Sequence, residues 1–360
     1  MDFDDPEFNP YLQENPGTDF AEDSGYCNPN LMKVIDIDEP RLTLPTTSQG
    51  RIDLKKAAML VKQLVGKDLS RYSLPCFLNE PLTILQKSAE FLAFADLLTD
   101  ASKESDPYKR MVLVAAMHAG AQWLVNGRTS KPFISLLGET YELITDKYRF
   151  FGESVSQHPP ILAIVAQGDG WSLHKNINAK MHFTGMQVQI KDSNIGTVEL
   201  EVKGSDGKIA QEEYKVQTPM MIVGNLLVPS KTFIEASGKQ VISNEAAGVV
   251  AEINFMDRGW LSDYYTNRVE GEIKDTATNE VRYKLEGYYT SEIYSIDVAT
   301  EERTLVFKAP KHLDYRKDIY GMNALSLQLN QLSDDLKAKL PPTDCRLRPD
   351  LRLWEEKDSD

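Results

Sequence analysis

Apolar residues follow two different periods along this chain. Before about residue 130 they recur every three or four positions, which is the spacing of one face of an α-helix. After about residue 133 they alternate with polar residues, as they do in a β-strand that has one buried face. The sequence therefore predicts several helices first and a long series of strands after them.

The helical spacing appears in three segments. Residues 51–65 predict an amphipathic helix with lysines on its polar face, and residues 81–98 predict a second helix. Asp106 and Pro107 supply the N-cap and the first-turn proline of a third helix, which runs to about Val125. The first third of the chain is therefore expected to be helical.

The alternating pattern is clearest in four segments, and turn residues separate them at intervals that suit an antiparallel meander closing into a barrel. Ser333 is expected to cap a short helix that Pro341 ends. The predicted fold class is α+β, mainly β. The alternating apolar residues are Val198, Leu200 and Val202; Val249, Ala251, Ile253 and Phe255; Val281, Tyr283 and Leu285; and Leu325, Leu327 and Leu329.

Negative charge is concentrated at the N-terminus. Residues 1–40 contain eleven acidic residues and one basic residue, Lys33, so about ten of the 14 net negative charges lie there. Residues 1–48 are therefore expected to form an acidic, disordered or loosely docked arm, followed by one domain over residues 49–360. The remainder is nearly balanced and has no basic run with aromatic residues, which argues against nucleic acid as a partner.

Catalytic and metal-binding motifs are absent from the sequence. It has no Gly-x-Ser-x-Gly, P-loop, His-Glu-x-x-His or Gly-x-Gly-x-x-Gly pattern, so we expect no enzyme activity, no metal and no cofactor. Cys27, Cys76 and Cys345 show no Cys-x-x-Cys spacing and are expected to be free thiols of a reducing cytosol. The longest apolar run, 111–125, is shorter than the ~20 residues that a bilayer requires.

Five blocks, in order, carry a resemblance to a known family. Residues 153–160 read Glu-Ser-Val-Ser-Gln-His-Pro-Pro, which resembles the octapeptide Glu-Gln-Val-Ser-His-His-Pro-Pro of the oxysterol-binding-protein-related lipid transfer proteins. The resemblance implies a large, nearly closed antiparallel β-barrel around a lipid tunnel, with helices at its N-terminal end. The other matching blocks are 66–70 with 79–82, 131–133 with 136–142, 259–262, and 340–350.

The same resemblance implies a lid over the tunnel entrance at about residues 51–78. An ordinary amphipathic helix packed on the core remains the alternative. A lid would be needed in water, because exposing a lipid costs about 0.8 kcal/mol per methylene group. The apolar face of this lid would carry Leu54, Ala58, Val61, Leu64 and Val65.

A headgroup site is also implied by the resemblance. Family members bind the phosphates of phosphatidylinositol 4-phosphate at the positions that are Lys131, Gln157 and His158 here. Gln157 replaces a histidine, and a neutral hydrogen bond is worth roughly 1 kcal/mol less than a charge-assisted one, so weaker binding is expected. Ile134 and Ser135 stand where the family has Asn-Pro. The family's basic helix after the Arg-Pro-Asp block is not found before Asp360, and whether headgroup exchange survives is left open.

The function expected from the resemblance is that of a non-enzymatic carrier. It would move a sterol or a phospholipid between membranes, as a monomer in the cytoplasm that contacts intracellular membranes peripherally. Phosphatidylinositol 4-phosphate is the expected second ligand if exchange occurs. The alternative is a lipid sensor or adaptor without net transport, and the sequence does not identify the lipid.

Overall fold

The computed structural model describes residues 34–35, 37–45, 79–184, 187–204, 207–226, 231–259, 263–311 and 320–356. The predicted lid at 51–78 and most of the predicted arm lie outside the described residues. Within them, a helical segment is followed by a long antiparallel sheet and then by short helices. The first elements are β1 Asn79–Thr83, α1 Ile84–Glu90, α2 Asp96–Lys103, α3 Pro107–Gly120 and the 3-10 turns Phe91–Phe94 and Ala121–Val125.

Local sequence signals determine where these helices begin. Thr83 and Gln86 form a capping box at the start of α1, each accepting a hydrogen bond from the other's backbone N–H. The Asp106 side chain accepts hydrogen bonds from two backbone N–H groups at the start of α3, and Pro107 is its first residue, as predicted. The helix is almost entirely buried and packs against the C-terminal half of the sheet. Gly120 lets it approach the sheet closely, because a Cβ atom there would lie 2.3 Å from the ring of Phe307.

Most strands pair with the next strand along the chain. A two-stranded parallel sheet joins β1 to β2, and the other fifteen strands form one antiparallel sheet. The alternating segments at 198–202, 249–255 and 281–285 are strands, as predicted. The strands are β2 Lys131–Phe133, β3 Thr140–Ile144, β4 Tyr148–Gln157, β5 Pro160–Gly168, β6 Trp171–Ile177, β7 Ala179–Phe183, β8 Val188–Asp192, β9 Gly196–Lys203, β10 Ile209–Val216, β11 Met220–Gly224, β12 Phe233–Asn244, β13 Val249–Phe255, β14 Arg268–Asp275, β15 Val281–Tyr288, β16 Glu292–Asp297 and β17 Arg303–Lys308.

Hydrogen bonding does not close the sheet into a barrel within the described residues, because β3 and β17 lie at opposite ends of its main strand order and do not pair with each other. The edge at β3 is covered by part of the predicted arm. Val34 forms a bridge with Thr145, and the Ile35 N–H donates to the Ile144 carbonyl at 2.9 Å. Val34, Ile37 and Leu44 are buried against the domain. The described residues of the arm therefore pack on the domain and protect this edge from other strands.

Two predictions of secondary structure are wrong. The alternating run at Leu325, Leu327 and Leu329 forms helix α4, Ala324–Gln328, and its C-cap Leu329, and not a strand. Every residue of α4 is buried, so the helix has no polar face, and its sequence does not show the spacing of an amphipathic helix. The predicted helix at 81–98 begins only at Ile84, because 79–83 pair with β2. The remaining helices are α5 Asp334–Lys339, which Ser333 caps as predicted, and α6 Pro349–Glu356.

Candidate functional site

A cavity of about 290 Å³ lies between the N-terminal helices and the middle of the sheet. Its wall comes from α1, α3, the 3-10 turns after them and strands β5 to β12. Inward-facing residues of these strands alternate with outward-facing ones, so the apolar face of the sheet becomes the wall. The lining is mainly apolar and includes Phe91, Leu124, Ile164, Leu173, Ile190 and Met221.

A small group of polar side chains interrupts this apolar wall. His118 on α3 stacks against Phe91 with ring centroids 5.1 Å apart, and its Nε2 atom is buried without a hydrogen-bond partner in the described structure. Burial, together with the positive charge of Lys175, lowers the pKa of His118 to about 3. The imidazole is therefore neutral at physiological pH. Gln240 on β12 donates to the Gln217 carbonyl at 2.8 Å, while its buried Oε1 has no partner in the described residues.

An ion pair also lies in the cavity wall. Lys175 Nζ lies 2.8 Å from Asp192 Oδ2, and both side chains are largely buried. The ammonium also donates a hydrogen bond to Thr218. Burial removes most of the hydration of such a pair. The loss is offset only when the two charged groups contact each other closely and form hydrogen bonds.

A second charged cluster borders the cavity near α1, where Lys87 and Glu90 line the wall. At its centre Arg128 is fully buried; it contacts Glu80 at 2.7 Å and forms an ion pair with Glu90. Burial would raise the pKa of Glu80, but Arg128 and Lys87 together hold it below its usual value. Burial raises the pKa of Glu90. Arg128 thus lowers the pKa of both buried carboxyl groups and opposes the effect of their burial.

The predicted headgroup residues lie outside the cavity lining. Lys131 is the first residue of β2, where burial lowers the pKa of its ammonium group. Gln157 ends β4, and its Oε1 is buried without a partner in the described structure. His158 is exposed in the turn between β4 and β5. No hydrogen bond joins Lys131 to this turn among the described residues.

His158 and the two prolines after it lie in the hairpin between β4 and β5. Gln157 pairs with Pro160 across the hairpin, so His158 and Pro159 form its two-residue turn. The peptide bond between these two residues is cis. The turn presents His158 to solvent.

The polar residues of the cavity were not among the predicted site residues. The sequence nevertheless carries a signal for Lys175, because strand alternation places it on the same face as Trp171 and Leu173, which are buried. His118 similarly interrupts an apolar helix. A charged or polar residue on an otherwise apolar face is the pattern that identifies both positions.

No helix in the described part of the chain is long and apolar enough to cross a membrane.

A mainly apolar cavity with a few convergent polar groups is typical of a protein that binds a small, largely apolar molecule. Comparison with known proteins gives the family: residues 56–360 match the model of the oxysterol-binding protein family. The chain belongs to the oxysterol-binding protein family, as its sequence motifs predict.

The relatives with curated descriptions are mostly longer than this chain. Oxysterol-binding protein-related protein 1 of Homo sapiens is 31% identical over 90% of this chain, which spans 38% of that protein. Oxysterol-binding protein-related protein 1B of Arabidopsis thaliana is 32% identical over 96% of this chain and 71% of its own length.

Two solved structures show the same fold with a ligand. The Osh1 ORD domain in complex with cholesterol has a TM-score of 0.79 and 28% identity, and the match covers 89% of this chain and 78% of that one. The Osh3 ORD from Saccharomyces cerevisiae in complex with PI(4)P has a TM-score of 0.73 and 26% identity, covering 88% of this chain and 82% of that one.

Proposed function

We propose that this protein carries one sterol or phospholipid between membranes without covalent chemistry. The observation that supports this best is the cavity, whose mainly apolar lining suits a hydrophobic ligand. Related ORD domains have been solved with cholesterol, ergosterol and PI(4)P. The carrier would act as a monomer in the cytoplasm and contact intracellular membranes peripherally.

In this proposal the sheet wraps around the ligand as a nearly closed barrel, and the segment 51–78 covers its entrance as a lid. The physical reason is the cost of about 0.8 kcal/mol for each methylene group exposed to water. On a membrane, the apolar face of the lid helix can contact lipid instead, and Lys55, Lys56 and Lys62 can face anionic headgroups. Opening is then linked to docking.

We further propose that Lys131, Gln157 and His158 bind the phosphate of phosphatidylinositol 4-phosphate. His158 is exposed at the hairpin turn, and the adjacent Gln157 carries a buried polar atom that has no partner in the described structure. The segment after Lys131 reaches the same strand, because the Gly138 N–H donates to the Ser154 carbonyl at 2.8 Å. One charged group and two polar ones suit a phosphate.

Substitutions at these positions test the headgroup site. Lys131→Ala and His158→Ala are each expected to weaken binding to vesicles containing phosphatidylinositol 4-phosphate by about tenfold, the equivalent of one charge-assisted hydrogen bond. Gln157→His should strengthen it, more at pH 6 than at pH 7.5, because an imidazole is more often charged at the lower pH. Vesicle titrations at both pH values measure these changes.

Matched controls are Lys180→Ala and His174→Ala, which remove exposed residues of the same types elsewhere on the sheet. Both should bind like the wild type. If wild-type binding does not depend on the headgroup and Gln157→His does not create such binding, the headgroup site does not exist.

A lipid sensor or adaptor without net transport is the second candidate function. Gln157 favours this second function. It replaces a residue that can carry a charge, so it weakens binding of phosphatidylinositol 4-phosphate, the ligand whose exchange would drive transport. A transfer assay between donor and acceptor vesicles separates the two. A carrier moves a fluorescent sterol between vesicles when the protein is far less concentrated than the sterol. A sensor binds the sterol stoichiometrically and does not accelerate its transfer.

A further inference from the structure

Several neighbouring strands of the sheet lose their pairing at one level, along a line that runs across the strands. Pairing between β6 and β9 ends at His174 and Thr197, and it resumes between β7 and β8 at Ala179 and Asp192 in the same register. The ladder between β9 and β10 stops at the same level and resumes between β8 and β11. We call the interrupted residues the break; they are Asn178, 193–195 and 217–219.

The strands beyond the break form a distinct unit, which we call the flap: β7, β8, β11 and residues 233–237 of β12. Along one edge β12 changes its partner, because 233–237 pair with β11 whereas 242–243 pair with β10; on its other edge, β13 pairs with 238–244 only. The flap has its own apolar cluster, separate from the main core. Its members are Phe183, Val188, Met181, Ile190, Val223 and Leu226.

The two edges of the flap are held differently. On the β12 side, Arg258 forms an ion pair with Glu235 at 3.3 Å and lies over the ring of Phe233 at 4.3 Å. On the other side, β7 pairs with β8 and with no further strand in the described part of the chain. The β12 side is therefore the fixed edge, and the β7 side is the free edge, which has no strand pairing beyond β8 in the described residues.

An ion pair crosses the break on this free side. Lys175 belongs to β6 in the main sheet, and Asp192 is the last residue of β8 in the flap. Asp192 Oδ1 accepts hydrogen bonds from the backbone N–H groups of Asn178 at 3.2 Å and Asn194 at 3.1 Å, and its Oδ2 pairs with Lys175. One carboxylate thus satisfies the backbone groups that the break leaves unpaired and ties the flap to the sheet.

We propose that the flap is a gate of the cavity and that the Lys175–Asp192 ion pair is its latch. The flap contributes Ala179, Ile190 and Met221 to the cavity wall, so moving its β7 edge outwards opens the cavity. Bending is easiest where ladder hydrogen bonds are missing, which is at the break. This proposal rests on the proposed function, because it assumes that a lipid enters and leaves the cavity.

Asp192→Asn and Lys175→Met test the latch. The asparagine keeps an oxygen for the two backbone N–H groups and removes the charge, while the methionine keeps the apolar part of the lysine. Hydrogen exchange of peptides covering β7 and β8 should become faster in both variants, and exchange of β13 and β14 should not change. Glu272→Gln is the control, because it removes an ion pair with Lys274 that lies within the main sheet.

Kinetics with dehydroergosterol distinguish a gate from a simple contact with the ligand. A gate predicts that the association and dissociation rate constants both rise by about tenfold, because opening limits ligand passage in both directions. A rise in the dissociation rate constant alone, or unchanged hydrogen exchange of the flap, overturns the proposal. If the wild type binds no dehydroergosterol, the proposal that the protein carries a sterol is wrong. Hydrogen exchange still decides whether the ion pair holds the flap.

Discussion

Replacing Arg128 by methionine is expected to lower the free energy of unfolding by about 3 to 5 kcal/mol at pH 8. Arg128 is fully buried between Glu80 and Glu90, and its removal leaves two carboxylates in a region that water does not reach. Breaking a buried pair on one side is far more destabilising than losing an exposed pair. Lys87 remains beside Glu80 at 3.1 Å, but Glu90 loses its ion pair. Urea unfolding followed by circular dichroism measures the loss.

The loss should be smaller at pH 5 than at pH 8. Without Arg128, burial raises the pKa of both carboxyl groups in the folded state above their unfolded values, as it already does for Glu90. A group of this kind stabilises the folded state at low pH, and that contribution disappears as the pH rises through its folded pKa. The control Arg303→Met removes a half-exposed ion pair with Glu286 and should cost about 0 to 1 kcal/mol. An Arg128→Met protein as stable as this control at pH 8 would contradict the prediction.

Ala179→Trp is expected to abolish lipid binding while leaving the domain folded. Ala179 lines the cavity at the start of β7, and an indole there would fill space that the ligand needs. Some overpacking is expected, with a stability cost of about 1 to 3 kcal/mol. A fluorescence titration with dehydroergosterol should show affinity at least about tenfold weaker than in the wild type.

Ala210→Trp is the matched control, because Ala210 is an exposed strand residue outside the cavity. It should bind the lipid like the wild type. Thermal unfolding of both variants separates blocked binding from loss of the fold. Equal binding by Ala179→Trp and Ala210→Trp would mean that the ligand does not occupy this cavity.

Local signals in the sequence were sufficient where one side of an element faces solvent. Val249, Ala251 and Ile253 alternate with exposed or partly exposed residues, so β13 is visible in the sequence. Asp106 and Pro107 identify the start of α3 because capping depends on adjacent residues alone. The run at Leu325 failed for the opposite reason: α4 is buried on all sides, and no polar face reveals its period.

The cavity was harder to predict than the strands, because its wall comes from elements far apart along the chain. Lys175 and Asp192 meet only because β6 and β8 lie on opposite sides of an interrupted ladder. Nothing in the local sequence specifies that register. The family resemblance instead directed attention to Lys131, Gln157 and His158, which lie at the hairpin turn and β2, outside the cavity lining. Their role in binding a headgroup stays a prediction.

Native mass spectrometry of the purified protein, after incubation with vesicles containing sterol and phospholipid, tests the central claim most directly. The cavity predicts one bound lipid for each chain, present in the wild type and in Ala210→Trp and missing from Ala179→Trp. Extraction and mass analysis of that lipid would identify the cargo. A wild-type protein that remains empty after incubation with both classes of lipid would contradict the proposal that the chain is a lipid carrier.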